Sequence, residues 1–169
     1  MSVWSGNRTL EVVTLGLDGE IFAIDAVMVH EILDMVPVTR VPGAGSFVGG
    51  LINVRGKVVP LADVRGRFGM ECRPPTIDSR ILVIEVDLDG EPSIVGLLAD
   101  KVYEVTEVAA ASLEETPRIG MRWPPHLIRC IGKRRDDFVI VLEVSRLFSA
   151  IDPVPAVTAG EPRLAQVVA

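Results

Sequence analysis

The tetrapeptide Leu-Asp-Gly-Glu occurs twice in this chain, at Leu17–Glu20 and at Leu88–Glu91, 71 positions apart (17 to 88). Each copy carries an Asp-Gly pair between apolar runs, the pairing a two-residue hairpin needs because both central positions take positive φ. Each copy is followed by an acid and then a Val-x-Glu-apolar stretch: Asp25 before Val29–Ile32, and Asp100 before Val102–Val105. The echo closes with a strand, an acid, a valine and a short helix ending in phenylalanine, at Val59–Phe68 and again at Val139–Phe148. There the shift is 80 positions (68 to 148), so the second copy has gained residues between its anchors. Three ordered matches point to duplication. The chain is expected to form two related lobes of about five strands each, and small barrels hide the edges of such short strands.

The remaining periodicity agrees. Runs of Val, Ile and Leu bounded by turn residues predict strands over Glu11–Leu17, Ile21–Ile24, Leu51–Val54, Lys57–Leu61, Arg80–Val86, Ile94–Leu98, Lys101–Val108, Leu127–Ile131 and Phe138–Val144. Arg55-Gly56 is a weaker hairpin signal of the Asp-Gly kind. Short helical pieces fit Ala26–Leu33, Ser46–Gly50, Val64–Phe68 and Val144–Ala150. With 49% hydrophobic residues and a mean hydropathy of +0.38, 169 residues fill such a core without metals or disulfides. The expected organisation is a flexible stretch over 1–8, one domain over 9–150 and a flexible tail over 151–169. Within the domain the first lobe covers about 9–75 and the second about 76–150, with exchange of strands between them allowed.

Several function classes are disfavoured. A formal charge of −6 argues against a nucleic-acid partner, whose phosphates demand cations. The one basic segment, with Arg55, Lys57, Arg65, Arg67 and Arg73 against Asp63 and Glu71, reads as solvated surface. Residues Gly50 to Lys57 imitate a phosphate-binding loop, but five residues separate the glycines and Val58 stands where magnesium needs a hydroxyl. The Gly43–Gly49 stretch imitates a dinucleotide turn with its third glycine one position late, and Ser46 lacks the frame of a nucleophile elbow. His30 and His126 have no acid spaced as a metal partner, so no metal or other cofactor is expected. Cys72 and Cys130 read as free thiols. No apolar run approaches the ~20 residues of a membrane span, and Met1–Arg8 has no signal-peptide core, so the expected setting is the cytoplasm without membrane insertion.

Most polar residues of interest have an ordinary structural role available. Asn53 can bond the turn, Gly56 can supply its dihedral, and Asp63 and Glu143 can cap the short helices that follow them. Arg55 differs, since a guanidinium beside a tight turn has five donors and no place in a core; it meets either solvent or a partner. Glu31 stands between Val29 and Ile32, whose apolar faces suit a core or a groove.

The stretches Ala23–Leu33, Val38–Arg65, Val95–Val105 and Val139–Phe148 resemble the successive motifs of CheW-like chemotaxis adaptor domains. The resemblance covers roughly Thr9 to Ala150. Its most specific piece is N-x-R-G-x-x-x-P-apolar-x-acid, met by Asn53, Arg55, Gly56, Pro60 and Asp63. It implies an all-β fold of two SH3-like five-stranded barrels packed together with a few short helices. It also implies a non-enzymatic adaptor that links the cytoplasmic tips of chemoreceptors to the regulatory domain of a CheA-type histidine kinase, recruited to membrane-associated receptor arrays. By this resemblance Val29, Glu31, Asn53, Arg55 and Val102 face the receptor, and Gly50 and Leu51 face the kinase. Val54 replaces a more usual leucine, and Glu114–Leu127, with Trp123-Pro124-Pro125, departs from the pattern. The alternatives are an adaptor of a non-flagellar pathway, or a β-barrel sensor with a small molecule between its lobes. An open, charge-rimmed groove marks the adaptor and a closed apolar one the sensor.

Overall fold

A computed structural model describes residues 9–43, 47–109, 123–134 and 137–149. All three two-residue turns form as their sequences predict. Strands β1 (Thr9–Leu17) and β2 (Glu20–Asp25) join at Asp18-Gly19, with φ of 49° and 83°. Further along the chain come β3 (Val29–Asp34), the two-residue β4 (Thr39–Arg40), and the hairpin of β5 (Val48–Val54) and β6 (Lys57–Ala62). That hairpin turns at Arg55-Gly56, with φ of 54° and 85°. Strands β7 (Arg80–Leu88) and β8 (Glu91–Ala99) turn at Asp89-Gly90, with φ of 54° and 86°. The chain continues through β9 (Lys101–Ala109), β10 (Ile128–Arg134), β11 (Asp137–Leu142) and one helix, α1 (Val144–Ser149).

The strands form two sheets, ordered β10-β11-β2-β1-β9 and β3-β7-β8-β6-β5-β4. Leaving out β4, the second order read backwards, β5-β6-β8-β7-β3, repeats the first strand for strand. Each sheet thus takes the opening hairpin of one half and the closing three strands of the other. The sheets therefore do not divide near residue 75, because β7 and β8 complete a sheet begun by β3 to β6. The physical reason lies in the register: β9 pairs along the whole of β1, and β3 along β7, which ties the halves reciprocally. Details repeat as well. The Asp63 N–H donates to the Phe47 carbonyl at 2.8 Å and the Glu143 N–H to the Leu127 carbonyl at 2.9 Å, 80 positions on. Bulges at Val48/Gly50 and Ile128/Cys130 keep the same spacing.

Two expected helices are corrected. Only Ala26–Met28 of the stretch Ala26–Leu33 is helical, as a single 3-10 turn capped by the Asp25 carboxylate; the rest is β3. There Val29, Glu31 and Leu33 are half-buried and alternate with exposed His30, Ile32 and Asp34, a period of two that suits a strand. Val48–Gly50 is strand too, because Gly50 pairs with Arg40 on one side and Leu61 on the other; Ser46 lies outside the described residues. Val64–Phe68 is a 3-10 turn and Val144–Ser149 a helix, as expected. The stretches 1–8, 110–122 and 150–169 lie outside the described residues.

Three apolar clusters hold the sheets. Leu10, Val12, Ala23, Val108, Cys130, Val139 and Val141 fill one face of the first sheet. Ile52, Val54, Val59, Leu61, Ile81, Val83 and Leu98 fill one face of the second, with Leu33 of β3 packed against them. Three strands stand between β3 and β5 in the order, yet Arg55 at the end of β5 reaches Glu31 of β3 at 3.0 Å, so the sheet curls upon itself, as a small barrel does. In the first sheet β9 and β10, its two ends, also come into contact. The largest cluster lies between the sheets, where Phe22 stacks on Phe68 (5.4 Å) and meets Trp123 edge-on (5.3 Å). Each fully buried Leu, Ile or Phe there contributes about 1.5–3 kcal/mol, so the seam joins both sheets into one body.

Candidate functional site

The β5–β6 turn is where the sequence places most chemistry at the surface. Arg55 and Gly56 both have positive φ, and the turn is closed by Asn53, whose Oδ1 accepts the Gly56 N–H at 2.8 Å. Asn53 thus has the structural role its position allows. The Arg55 side chain is 81% exposed, and its Nη2 donates to Glu31 Oε1 of β3 at 3.0 Å. A surface pair of this kind adds only about 0.2–1 kcal/mol. Its effect is to aim: one acceptor holds the guanidinium across the mouth of the curled sheet and leaves most of its donors to solvent or a partner.

Val29 and Val102 reach the seam from opposite sheets. Both are half-buried and pack against the cluster between the sheets, Val29 opposite Ile84 and Val102 opposite Leu15. The register skips one residue just after each valine, at His30 and at Tyr103, so the two valines hold equivalent places in the duplicated plan. Direct contact joins Glu31 to Arg55 and, through the turn, to Asn53. Val29 lies two residues from Glu31 on the same strand, and Val102 stands on β9 of the other sheet.

Gly50 and Leu51 belong to an adjoining surface that Asn53 also borders. A side chain at Gly50 has no room: its Cβ would stand 2.4 Å from Val38 Cγ1 and 3.3 Å from the Thr39 carbonyl oxygen. Gly50 therefore lets β4 lie close on β5. Leu51 lines an open groove with Val36, Pro37, Thr39, Ile52, Asn53 and Val58, and Val58 is 56% exposed. Glycine shapes this groove and leucine supplies part of its apolar floor.

A polar centre that sequence reasoning missed lies where the sheets meet. Arg65, read as solvated, is only 3% exposed. Its Nε and Nη2 donate to the two Asp63 oxygens at 2.9 and 2.7 Å, and its Nη1 donates to Asp100 Oδ1 at 2.8 Å. Donating to the Asp63 carboxylate pushes the already high guanidinium pKa further up, so Arg65 stays charged. Asp100 Oδ2 in turn accepts the Asp18 N–H at 2.6 Å, and the Asp100 N–H donates to the Gly16 carbonyl at 2.9 Å. The only local signal was the Asp63–Arg65 spacing, which also serves the expected cap: Asp63 Oδ1 accepts the Arg65 N–H at 3.1 Å. Glu143, in the equivalent place, accepts the Ser145 hydroxyl at 3.2 Å.

In the phosphate-loop lookalike, Gly56 leads directly into strand β6 and not into a helix, so no helix N-terminus faces a phosphate at that glycine. Burial pushes the Cys130 thiol up to about 11, which keeps it protonated at neutral pH, while Cys72 is an exposed free thiol.

Comparison with known proteins agrees with this fold. The family model described as the CheW-like domain matches residues 11–152. The chemotaxis protein CheW of Rhizobium meliloti (strain 1021) is 28% identical over 142 residues, 84% of this chain and 89% of that protein. The chemotaxis protein CheW of Bacillus subtilis (strain 168) is 30% identical over 141 residues, 80% of this chain and 79% of its own length. Among solved structures, the scaffolding protein TtCheW of Thermoanaerobacter tengcongensis superposes with a TM-score of 0.74 at 30% identity, covering 85% of this chain and 90% of that one.

Proposed function

The chain belongs to the CheW-like domain family, a family of chemotaxis adaptors, and we propose that it works without catalysis, through two docking surfaces that adjoin at Asn53. One surface takes the helical cytoplasmic tip of a chemoreceptor: the seam with Val29 and Val102, rimmed by Glu31, Asn53 and Arg55. A helix laid in a groove buries an apolar centre inside a polar rim, and these residue types match that division. The other takes the regulatory domain of a CheA-type histidine kinase, on the groove that Gly50 shapes and Leu51 lines. Holding both partners raises the kinase's effective concentration at the receptor, and lets a small receptor movement bias the kinase. Through its partners a cytoplasmic chain is brought to membrane-associated arrays; among the described residues no helix is long and apolar enough to cross a membrane itself.

The observation that carries this reading is the turn at Arg55: a mostly exposed guanidinium, aimed by one carboxylate, on a hairpin whose Leu51, Asn53 and Val58 line an open apolar groove beside it. A small-molecule sensor would keep an apolar chamber between its sheets. That space is instead filled by side chains such as Leu15, Phe22, Leu82 and Leu97. The groove at Leu51 opens to solvent, which favours an extended protein partner.

Two exposed substitutions separate the surfaces. Arg55→Glu should weaken binding to a receptor-tip fragment about tenfold, ~1.4 kcal/mol, and leave affinity for the kinase regulatory domain intact. Val58→Glu, which puts a charge into the groove, should do the reverse. Titration of each purified variant against each partner reads the pattern. If both variants weaken the same partner, or neither weakens any, the two-surface reading is wrong.

A further inference from the structure

The buried array at the seam has a place in the fold that packing alone does not require. Asp100 is the residue at which the chain leaves β8 of the second sheet and enters β9 of the first. Its carboxylate is divided between the sheets. Oδ1 takes Arg65 Nη1, which follows β6 of the second sheet, and Oδ2 takes the Asp18 N–H in the β1–β2 turn of the first. Its own N–H donates to Gly16, so backbone and side chain clamp the end of β1 together. Two residues on stands Val102, opposite Leu15 in the same ladder.

The equivalent junction on the other side is built otherwise. Asp25, where the chain passes from β2 to β3, bonds the Val27 N–H at 3.2 Å and Arg129 Nη1 of β10 at 3.2 Å. Serine, Ser145, stands where the repeat would place the counterpart of Arg65. The buried guanidinium is thus a feature of the Val102 junction. Arg65 gives up nearly all its water there, while the Asp63 and Asp100 side chains stay 21% and 35% exposed, and desolvating the guanidinium offsets much of what its ion pairs gain. What the charged array adds is direction, since a guanidinium with a bidentate partner fixes both the angle and the distance of its third contact.

We propose that the Arg65–Asp100–Asp18 array is a positioning site for receptor recognition: it sets the start of β9, and with it Val102, against the β1–β2 turn at the geometry a receptor helix requires. This rests on the reading of the seam as the receptor-facing surface. Arg65 and Asp100 are positioning residues and touch no partner. The array's side-chain bonds run to the Asp18 turn and to Asp63, and Val58 and Leu51 of the kinase-facing groove take no part in them.

The test uses the full chain with Asp100→Asn, which keeps an oxygen for the Asp18 N–H but removes the charge facing Arg65, and Arg65→Lys, which keeps the charge but cannot span both carboxylates. Each is titrated against a receptor-tip fragment and against the kinase regulatory domain, beside Arg55→Glu, with thermal melts. Receptor affinity should fall at least fivefold in whichever positioning variants fold, with kinase affinity held within twofold. If receptor affinity changes less than twofold in a folded variant, or both affinities fall together, the array only holds the fold and the proposal is overturned. Failure of both variants to fold overturns it likewise. Arg55→Glu separates the two claims: if it leaves receptor binding intact, the receptor-facing reading itself has failed; if it weakens binding while the positioning variants do not, only the array's role has.

Discussion

Gly50→Ala isolates the contact that shapes the groove at Leu51. The added methyl would lie 2.4 Å from Val38 Cγ1 and 3.3 Å from the Thr39 carbonyl oxygen, so something must move. Val38 is 39% exposed and can turn away, but Thr39 presents backbone, and only a shift of the strand relieves it. Strand β4 is held to β5 by two paired positions, Thr39 with Leu51 and Arg40 with Gly50, and by the Val41 N–H donating to the Gly49 carbonyl at 3.0 Å. Inserting one methyl into packed structure costs about 1–3 kcal/mol, and an edge strand this short has little to resist with. At roughly 2–4 °C per kcal/mol for a chain of this size, melting should fall roughly 2–12 °C. The Val41 amide should exchange faster with solvent while the β7 and β8 amides keep their protection. Calorimetry with residue-resolved hydrogen exchange measures both. A melt within about 1 °C of wild type, with Val41 protection unchanged, would show that β4 does not depend on the missing side chain.

Other positions give sharper or milder responses. Arg55→Glu breaks a surface pair and sets two carboxylates near each other, so unfolding free energy should drop by no more than about 1 kcal/mol in urea titration; a larger loss would make Arg55 part of the fold. Gly19→Ala and Gly90→Ala place a Cβ at φ of 83° and 86° with open space around it, so each should cost about 1 kcal/mol of backbone strain, equal within ~0.5 kcal/mol if the two turns are equivalent. Cys130 is held protonated to about 11 in the fold against 9.0 for the ordinary thiol, so the folded state binds its proton more tightly than the unfolded chain. Its stabilising effect is therefore full below pH 9.0 and is lost as pH rises toward about 11. Denaturation at pH 8 and pH 10.5 should show roughly 1–2 kcal/mol less loss in Cys130→Ala than in wild type, and parallel losses would refute the burial argument.

What could be read in the sequence was what is local. Asp-Gly and Arg-Gly declare their turns because positive φ is a property of two adjacent residues, and all three turned where expected. The duplication was legible because its anchors keep their order. Strand β3 was not, since apolar residues at Val29, Ile32 and Leu33 fit one helix face as well as a strand, and the choice was made by Ile81 to Ile84 of β7, some fifty positions away. β4 is too short to have any period. The reciprocal exchange of hairpins depends on β1 meeting β9 and β3 meeting β7, pairings that no turn encodes. Arg65 looked like one cation among five because its second acceptor, Asp100, stands 35 positions away. Arg55 and Glu31 were singled out by their chemistry and position and assigned to one face by family resemblance, while their 3.0 Å contact followed from the curl of the sheet.

The most direct measurement of the central claim is bridging. Receptor-tip fragments are displayed on vesicles and the labelled kinase regulatory domain is sedimented with them, with and without this chain. If the chain is a two-surface adaptor, the kinase domain should sediment only when the chain is present. Recruitment should be lost with either Arg55→Glu or Val58→Glu and not restored by mixing the two variants, because a bridge needs both surfaces in one molecule. Recruitment that is equal without the chain, or that the mixture of single variants restores, would contradict the account.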